Sequence, residues 1–341
     1  MKKLLLKMAL FSAMGAMILA GLNSFAIRAG NAFKDGAAKV CEYKRNMVRD
    51  GRAAPVRGRT IVLFMGNSKI LAGPIPDHFD ALSGNQTYSY NLALPALPIG
   101  PQFFVLKDYL ERNPAPQYII TTLSTERGNA PGLFDKYALQ GISMPHELAA
   151  YARLRKSKPI LMNWLFPVRM YKQETLKYGF AMLLDRESIR RARDTDRRTM
   201  RAIERDRGYY YIRDKVAFPG GRLPDDFMPQ NGMHRKCEQF NPFEDPFTGM
   251  FFSLAREQGI TVMLVEPPVL EKEFAPCPGM PRQYAAILER YPNVRMARNG
   301  WRRKSFPNRF FSDPTHLNRE GAQRYTEAIY KEFLEIQKTA K

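Results

Sequence analysis

"TIVLFMGNSKILAG", residues 60–73, carries a run of β-branched and aromatic residues into a Gly-Asn-Ser turn. The run reads as a strand over Thr60–Met65. Gly, Asn and Ser are also the commonest punctuation after any strand, so on this stretch alone Ser68 is either a nucleophile or a turn residue. The segments downstream of Gly73 set the fold in which that turn sits. A second apolar segment, "QTYSYNLALPAL", leads into a stretch where Phe103, Phe104, Leu106, Tyr109 and Leu110 recur at helical spacing. "PQYIITTLST" is again a short apolar run of strand type. Strand, helix and strand alternating through short connections predict a parallel sheet covered by helices.

Residues 127–245 break that rhythm with Pro and Gly clusters and a basic helix, and read as a large insertion. The alternation resumes with a helix near Pro246 to Gln258, the strand "GITVMLVEPP", a helix at "PRQYAAILERYP", the short strand "NVRMA" and a last helix from Asn318 to about Ile336. The expected architecture is a three-layer α/β domain over residues 59–338, preceded by a leader over 1–28 and a helix and linker over 29–58.

The leader places Lys2, Lys3 and Lys7 before an apolar stretch from Met8 to Ile27, the pattern of a secretion signal or a single membrane anchor. Ser24-Phe25-Ala26 suits a signal peptidase, and the stretch is also about the ~20 residues that span a bilayer, so cleavage and retention both remain open. Either outcome predicts a domain outside the cytoplasm, periplasmic or otherwise extracytoplasmic, with the lysine-flanked end inside. In that oxidising compartment one disulfide and one leftover thiol are the simplest state of Cys41, Cys237 and Cys277. Cys237 with Cys277 is the favoured pair, and three free thiols are the alternative. The four histidines show no metal-ligand spacing, which points away from a metal site.

The formal net charge is +20, and still +16 without the four basic residues of the leader. Such a surface attracts polyanions. For an exported domain these are anionic headgroups of a membrane surface and acidic polysaccharides rather than nucleic acid. The densest run, residues 186–215, holds eleven Lys or Arg against six Asp or Glu at helical spacings. It is either a solvated helix face laced with ion pairs or a polymer- or membrane-facing surface.

In "RFFSDPTHLNREGAQRYTEAI", Asp313 and His316 lie three residues apart, just before Asn318, a candidate N-cap for a helix with Glu320 in its first turn. A carboxylate at this spacing reaches one imidazole nitrogen from the same turn, fixes the tautomer and leaves the other nitrogen as a base. The alternative is a capping loop with a surface histidine. In a parallel sheet this loop and the Gly66-Asn67-Ser68 turn both fall at the carboxyl ends of strands.

"GNSKI", "YNLALPA" and "SDPTHLNREGAQRYTEAI" together resemble blocks I, II and V of the SGNH, or GDSL-like, hydrolase superfamily, whose fold is flavodoxin-like. The layout is similar to its extracytoplasmic branch, the alginate O-acetyltransferase and D-alanine-transfer types, which work beside a membrane-bound O-acyltransferase. The resemblance covers residues 58–126 and 246–338. It implies Ser68 as nucleophile, His316 as general base and Asp313 as the residue that orients it, with no cofactor. It further implies an acyl-oxygen and substrate site around Asn67, Asn91, a backbone N–H of Ala96 and Ser124. The expected function is O-acyl, above all acetyl, transfer to an anionic cell-envelope or secreted polysaccharide. The alternatives are a secreted carbohydrate esterase and a non-catalytic polysaccharide-binding module. Two features depart from the family. Leu94, Pro95 and Ala96 stand where a glycine supplies an oxyanion N–H, and "TTLSTERGN" lacks the asparagine of block III, so that Ser124 or Thr125 would have to substitute.

Overall fold

The computed structural model describes residues 2–33, 36–95, 99–123, 145–154, 158–211, 221–228, 246–271, 280–298, 300 and 304–339. The chain divides into two compact units, one of Met1–Lys39 with Ile142–Thr199 and one of Val40–Gly141 with Met200–Lys341.

The second unit is an α/β domain on a five-stranded, all-parallel sheet. Its strands are β1 (Thr60–Met65), β2 (Thr87–Asn91), β3 (Tyr118–Thr121), β4 (Thr261–Leu264) and β6 (Val294–Arg295), in the order β2-β1-β3-β4-β6. A separate parallel pair joins β5 (Pro268–Leu270) to β7 (Lys304–Phe306). The central strands read as unbroken apolar runs because both of their faces are covered. Val62, Leu63, Phe64, Ile119, Ile120, Val262 and Met263 are all inaccessible to solvent.

Right-handed crossovers put the helices on both faces, since the chain steps one way from β1 to β2 and the other way from β2 through β3 to β4. One face carries α4 (Pro76–Leu82), whose Phe79 ring meets Phe64 of β1 at 5.2 Å, Tyr330 at 5.2 Å and Phe333 at 5.3 Å. Tyr330 and Phe333 belong to the C-terminal helix, Arg319–Thr339. The other face carries α5 (Ile99–Leu110) against Pro246–Glu257, with Phe104 and Phe247 rings 5.4 Å apart. The sequence expectation of a parallel α/β sheet therefore holds. The strand expected in "GITVMLVEPP" is Thr261–Leu264; the chain then leaves the main sheet, and Pro268–Leu270 pairs with β7.

The half of α2 (Gly36–Arg49) that belongs to this unit is tied to it by charge. Arg45 Nε and Arg49 Nε lie 2.6 and 2.9 Å from Asp108 Oδ2 on α5, and the Arg45 side chain is 2 % exposed. Buried Lys44 donates to the carbonyls of Asn91 and Ala93 at 2.8 and 2.7 Å. Burial holds its ammonium well below the usual lysine range. A third clamp is Arg207, whose guanidinium pairs with buried Asp80 at 2.6 Å, while Asp80 also accepts from Ser89 N and Thr87 Oγ1.

The first unit is helical. Helix α1 (Lys2–Phe33) is long and apolar enough to cross a membrane. Its apolar residues from Leu4 to Leu22 are exposed, whereas Ala26, Ala29, Gly30 and Ala32 are buried.

Removing the carboxylate that Arg45 and Arg49 share breaks a buried ion pair, which costs about 3–5 kcal/mol. Asp108→Asn is expected to lower the stability of the full chain by about that amount in urea unfolding. Asp50→Asn, which breaks only the exposed 3.0 Å pair with Arg52, should change it by less than about 1 kcal/mol.

Candidate active site

The site starts at the turn that ends β1. Gly66 has φ 151°, and a Cβ there would sit 2.7 Å from Ile70 Cγ1, so the position requires glycine. Its peptide is held from two directions. The buried Gln102 carboxamide on α5 accepts from Gly66 N at 2.6 Å and donates back to Gly66 O, which also accepts from Leu94 N at 2.9 Å. Asn67 then caps the short helix α3 (Ser68–Leu71), accepting from Lys69 N at 3.0 Å through Oδ1. Its Nδ2 donates to no described residue. Ser68 is half-buried, and its Oγ has no hydrogen-bond partner among the described residues.

Asn91, at the end of β2, lies beneath this turn. Its Nδ2 donates to Ile70 O at 2.9 Å and Pro74 O at 3.3 Å, and its Oδ1 accepts from Ala93 N at 3.1 Å and Lys44 Nζ at 3.4 Å. Every group of the amide is engaged with backbone or with the lysine, so Asn91 supports the turn. Gly208 closes over the same place, where a Cβ would lie 2.0 Å from Asn91 O. Ala96 and Ser124, and the Cys237–Cys277 pairing, lie outside the described residues. Cys41 is buried and forms no disulfide among the described residues, its Sγ donating to Pro95 O at 3.9 Å.

The second half of the site precedes the C-terminal helix. Asn318 accepts from Gly321 N at 3.0 Å, the cap expected from sequence. Asp313 Oδ2 lies 2.8 Å and Oδ1 3.0 Å from His316 Nδ1. Oδ1 also accepts from the backbone N–H groups of Thr315 and His316 at 2.7 and 2.9 Å and from Thr315 Oγ1 at 2.8 Å. Burial pushes the Asp313 carboxyl up, but the bonds from His316 and Thr315 outweigh it and lower the group to about 2. An ionised carboxylate on Nδ1 keeps the proton on that nitrogen and leaves Nε2 as acceptor. Nε2 is buried and has no hydrogen-bond partner among the described residues, so no bond joins it to Ser68 in this form.

Both halves occupy one end of the sheet. Ser68 follows the carboxyl end of β1. The C-terminal helix runs antiparallel to the strands: Tyr325, near its start, donates to Glu266 O just beyond β4, whereas the Phe333 ring meets Tyr118 at the beginning of β3. His316, three residues ahead of this helix, therefore stands beyond the carboxyl ends. The early turns of the helix also pack on the segment after Ser68, with Thr326 Oγ1 accepting from Ile75 N at 3.0 Å and a Cβ on Gly73 falling 2.9 Å from the Tyr325 ring.

Sequence reasoning missed two contributors. Gln102 sits inside an apolar helical pattern, where one polar residue among inward-facing positions is the available cue. Thr121 and Thr122 have buried hydroxyls with no partner among the described residues. Thr121 is level with Met65 in the β1–β3 register, so Thr122 is level with Gly66, at the point where the strand order reverses. Consecutive threonines ending an apolar strand are their signature. No protein-family model and no curated protein matches the chain.

A carboxyl held below its ordinary value of 3.8 contributes stability that is full above that value and is lost as pH falls through about 2. Asp313→Asn is thus expected to lower stability at neutral pH and to flatten the fall in urea midpoint between pH 4 and 2. Equal slopes for the two proteins would contradict the assigned ionisation.

Proposed function

We propose that the protein is a serine acyltransferase of SGNH type, passing an acyl group, most simply acetyl, to a hydroxyl of an anionic cell-envelope or secreted polysaccharide. The observation that carries this is the buried Asp313–His316 pair, whose Nε2 bonds no described residue and lies at the same end of the parallel sheet as Ser68. Counting only its own members, the sheet has the strand order 2-1-3-4-5 of flavodoxin-like folds, which supports the same family.

In this mechanism Ser68 Oγ attacks the carbonyl carbon of the donor while His316 Nε2 takes the hydroxyl proton. The tetrahedral oxyanion collapses, the donor's leaving group departs with that proton, and an acyl ester remains on Ser68. The acceptor hydroxyl then attacks the ester, again giving its proton to Nε2, which returns it to Ser68. Asp313 holds the imidazole and stabilises its cation in both halves. Among the described residues, Asn67 Nδ2 and the Thr122 hydroxyl, neither bonded to another described group, are the donors this mechanism gives the oxyanion, in place of the glycine N–H and asparagine of the family's blocks II and III. A membrane-bound O-acyltransferase supplies the acyl group, and α1 keeps the domain at the outer side of the cytoplasmic membrane.

Turnover of a chromogenic acetyl ester by the purified full chain tests this. Ser68→Ala and His316→Ala should fall to background, and Thr122→Val should lose on the order of a hundredfold, the usual cost of one oxyanion donor. Hydrolysis should be slow in buffer, with added acidic oligosaccharide becoming acylated. Brisk turnover with water as sole acceptor would make the protein an esterase. Turnover unaffected by Ser68→Ala would overturn the serine mechanism, and no turnover in any form would leave a binding module.

A further inference from the structure

The first unit presents a surface that its own fold does not explain. Helix α1 leaves the unit through small residues: Gly30 sits against the Tyr171 ring, where a Cβ would be 2.7 Å from ring carbons, and Phe25 meets Tyr178 edge-on at 5.4 Å. Asn23 Nδ2 donates to Leu165 O at 3.4 Å. The helix over Lys172–Leu184 turns Glu174, Tyr178 and Ala181 inward, an i, i+4, i+7 stripe packed on α1. Its opposite stripe is also apolar. Leu176, Phe180, Leu183 and Leu184 are 58, 64, 83 and 81 % exposed, and Met162 and Leu165 on the preceding Lys158–Leu165 helix are exposed as well.

A contiguous apolar face of this kind marks a binding surface. Two observations say what covers it. The face lies on a helix packed against α1, whose exposed Leu4–Leu22 stretch belongs to a helix long and apolar enough to cross a membrane. Directly after Leu184 the chain enters the helix over Arg186–Arg205, where Arg186, Arg190, Arg193 and Arg197 recur on one stripe and are exposed. Arg186 and Arg193 have no carboxylate partner among the described residues. Leucines and a phenylalanine beside a row of arginines is the composition of an element lying in the headgroup region of an anionic leaflet.

We propose that α1 is retained as an anchor and that the Lys172–Leu184 helix lies in the bilayer interface beside it, with Leu176, Phe180, Leu183 and Leu184 in the acyl boundary and the arginine row on anionic phospholipid headgroups. The chain is thereby held by two elements, a spanning helix and a monotopic one, which fixes the first unit against the membrane instead of leaving it on a swivel. This inference does not depend on the acyl-transfer chemistry.

Photocrosslinking in the full chain tests it. Benzoylphenylalanine at position 180 or 183, irradiated in membranes of the expressing cell, is expected to yield protein bearing one phospholipid by intact mass, with residues 2–26 still present. The same probe at Thr195, across the helix from the arginine row, should not. In nanodiscs of mixed phosphatidylcholine and phosphatidylglycerol, Arg186→Gln, Arg190→Gln and Arg193→Gln together should reduce the anionic share of the lipid adducts at least about twofold. Crosslinks to a protein at 180 and 183 would assign the face to a partner's membrane helices and overturn the proposal. So would the absence of any adduct, an anionic share unchanged by the three substitutions, or a chain processed near Ala26.

Discussion

One residue, Gly66, sets the geometry on which the candidate site depends. Its positive φ is open to glycine, and its N–H and C=O are both claimed by the Gln102 carboxamide, with Leu94 N as a further donor to the carbonyl. A strand end normally frays into solvent. Here it is pinned from α5 on one side and from the segment after β2 on the other, so Asn67 and Ser68 start from a fixed point. Asn91 and Lys44 extend the same logic outward, since the lysine holds the carbonyls of Asn91 and Ala93 while the Asn91 amide holds those of Ile70 and Pro74. Buried polar groups that are fully satisfied in this way make a region rigid, and each becomes costly to change alone.

The Asp313–His316 turn is built to the opposite specification at one atom. Both carboxylate oxygens of Asp313 are engaged, and Nδ1 of the imidazole is engaged with them, yet Nε2 is buried with nothing described to bond. A native fold rarely leaves such a group unpaired without a use for it. The direction of the C-terminal helix, antiparallel to the sheet, brings that nitrogen to the edge where Ser68 stands and where the strand order reverses. The chemistry proposed for the pair asks only that the two groups close on each other when a substrate lies between them.

Much of this is legible in the sequence, and the limits are physical. β1, β3 and β4 show as short apolar runs because strands covered on both faces have no polar alternation. The Asn318 cap and the Asp-x-x-His spacing are local, settled within a single turn, and both appear as expected. Gln102, Lys44 and Arg207 act over 36 to 127 residues of chain, and no local pattern announces such a partner. Asn91 reads as a site residue because its block resembles one that contacts substrate, whereas the bonds its Nδ2 makes to Ile70 O and Pro74 O belong to a turn that only the fold assembles. The 127–245 insertion reads as one piece. Within it Ile142–Thr199 groups with Met1–Lys39, and the Arg207–Tyr210 segment is bound to β2 and α3 of the sheet domain, Asn91 N donating to Arg207 O at 2.9 Å.

The central claim is a covalent one, that Ser68 carries the acyl group between donor and acceptor. Intact mass of the purified full chain, taken at intervals after mixing with an activated acetyl ester, reads it directly. The account predicts a single added acetyl that appears in the native protein, maps to the peptide containing Ser68, is absent from Ser68→Ala and is discharged by an acceptor glycan. Acetylation of equal extent in Ser68→Ala, or an adduct that maps elsewhere and never discharges, would contradict it.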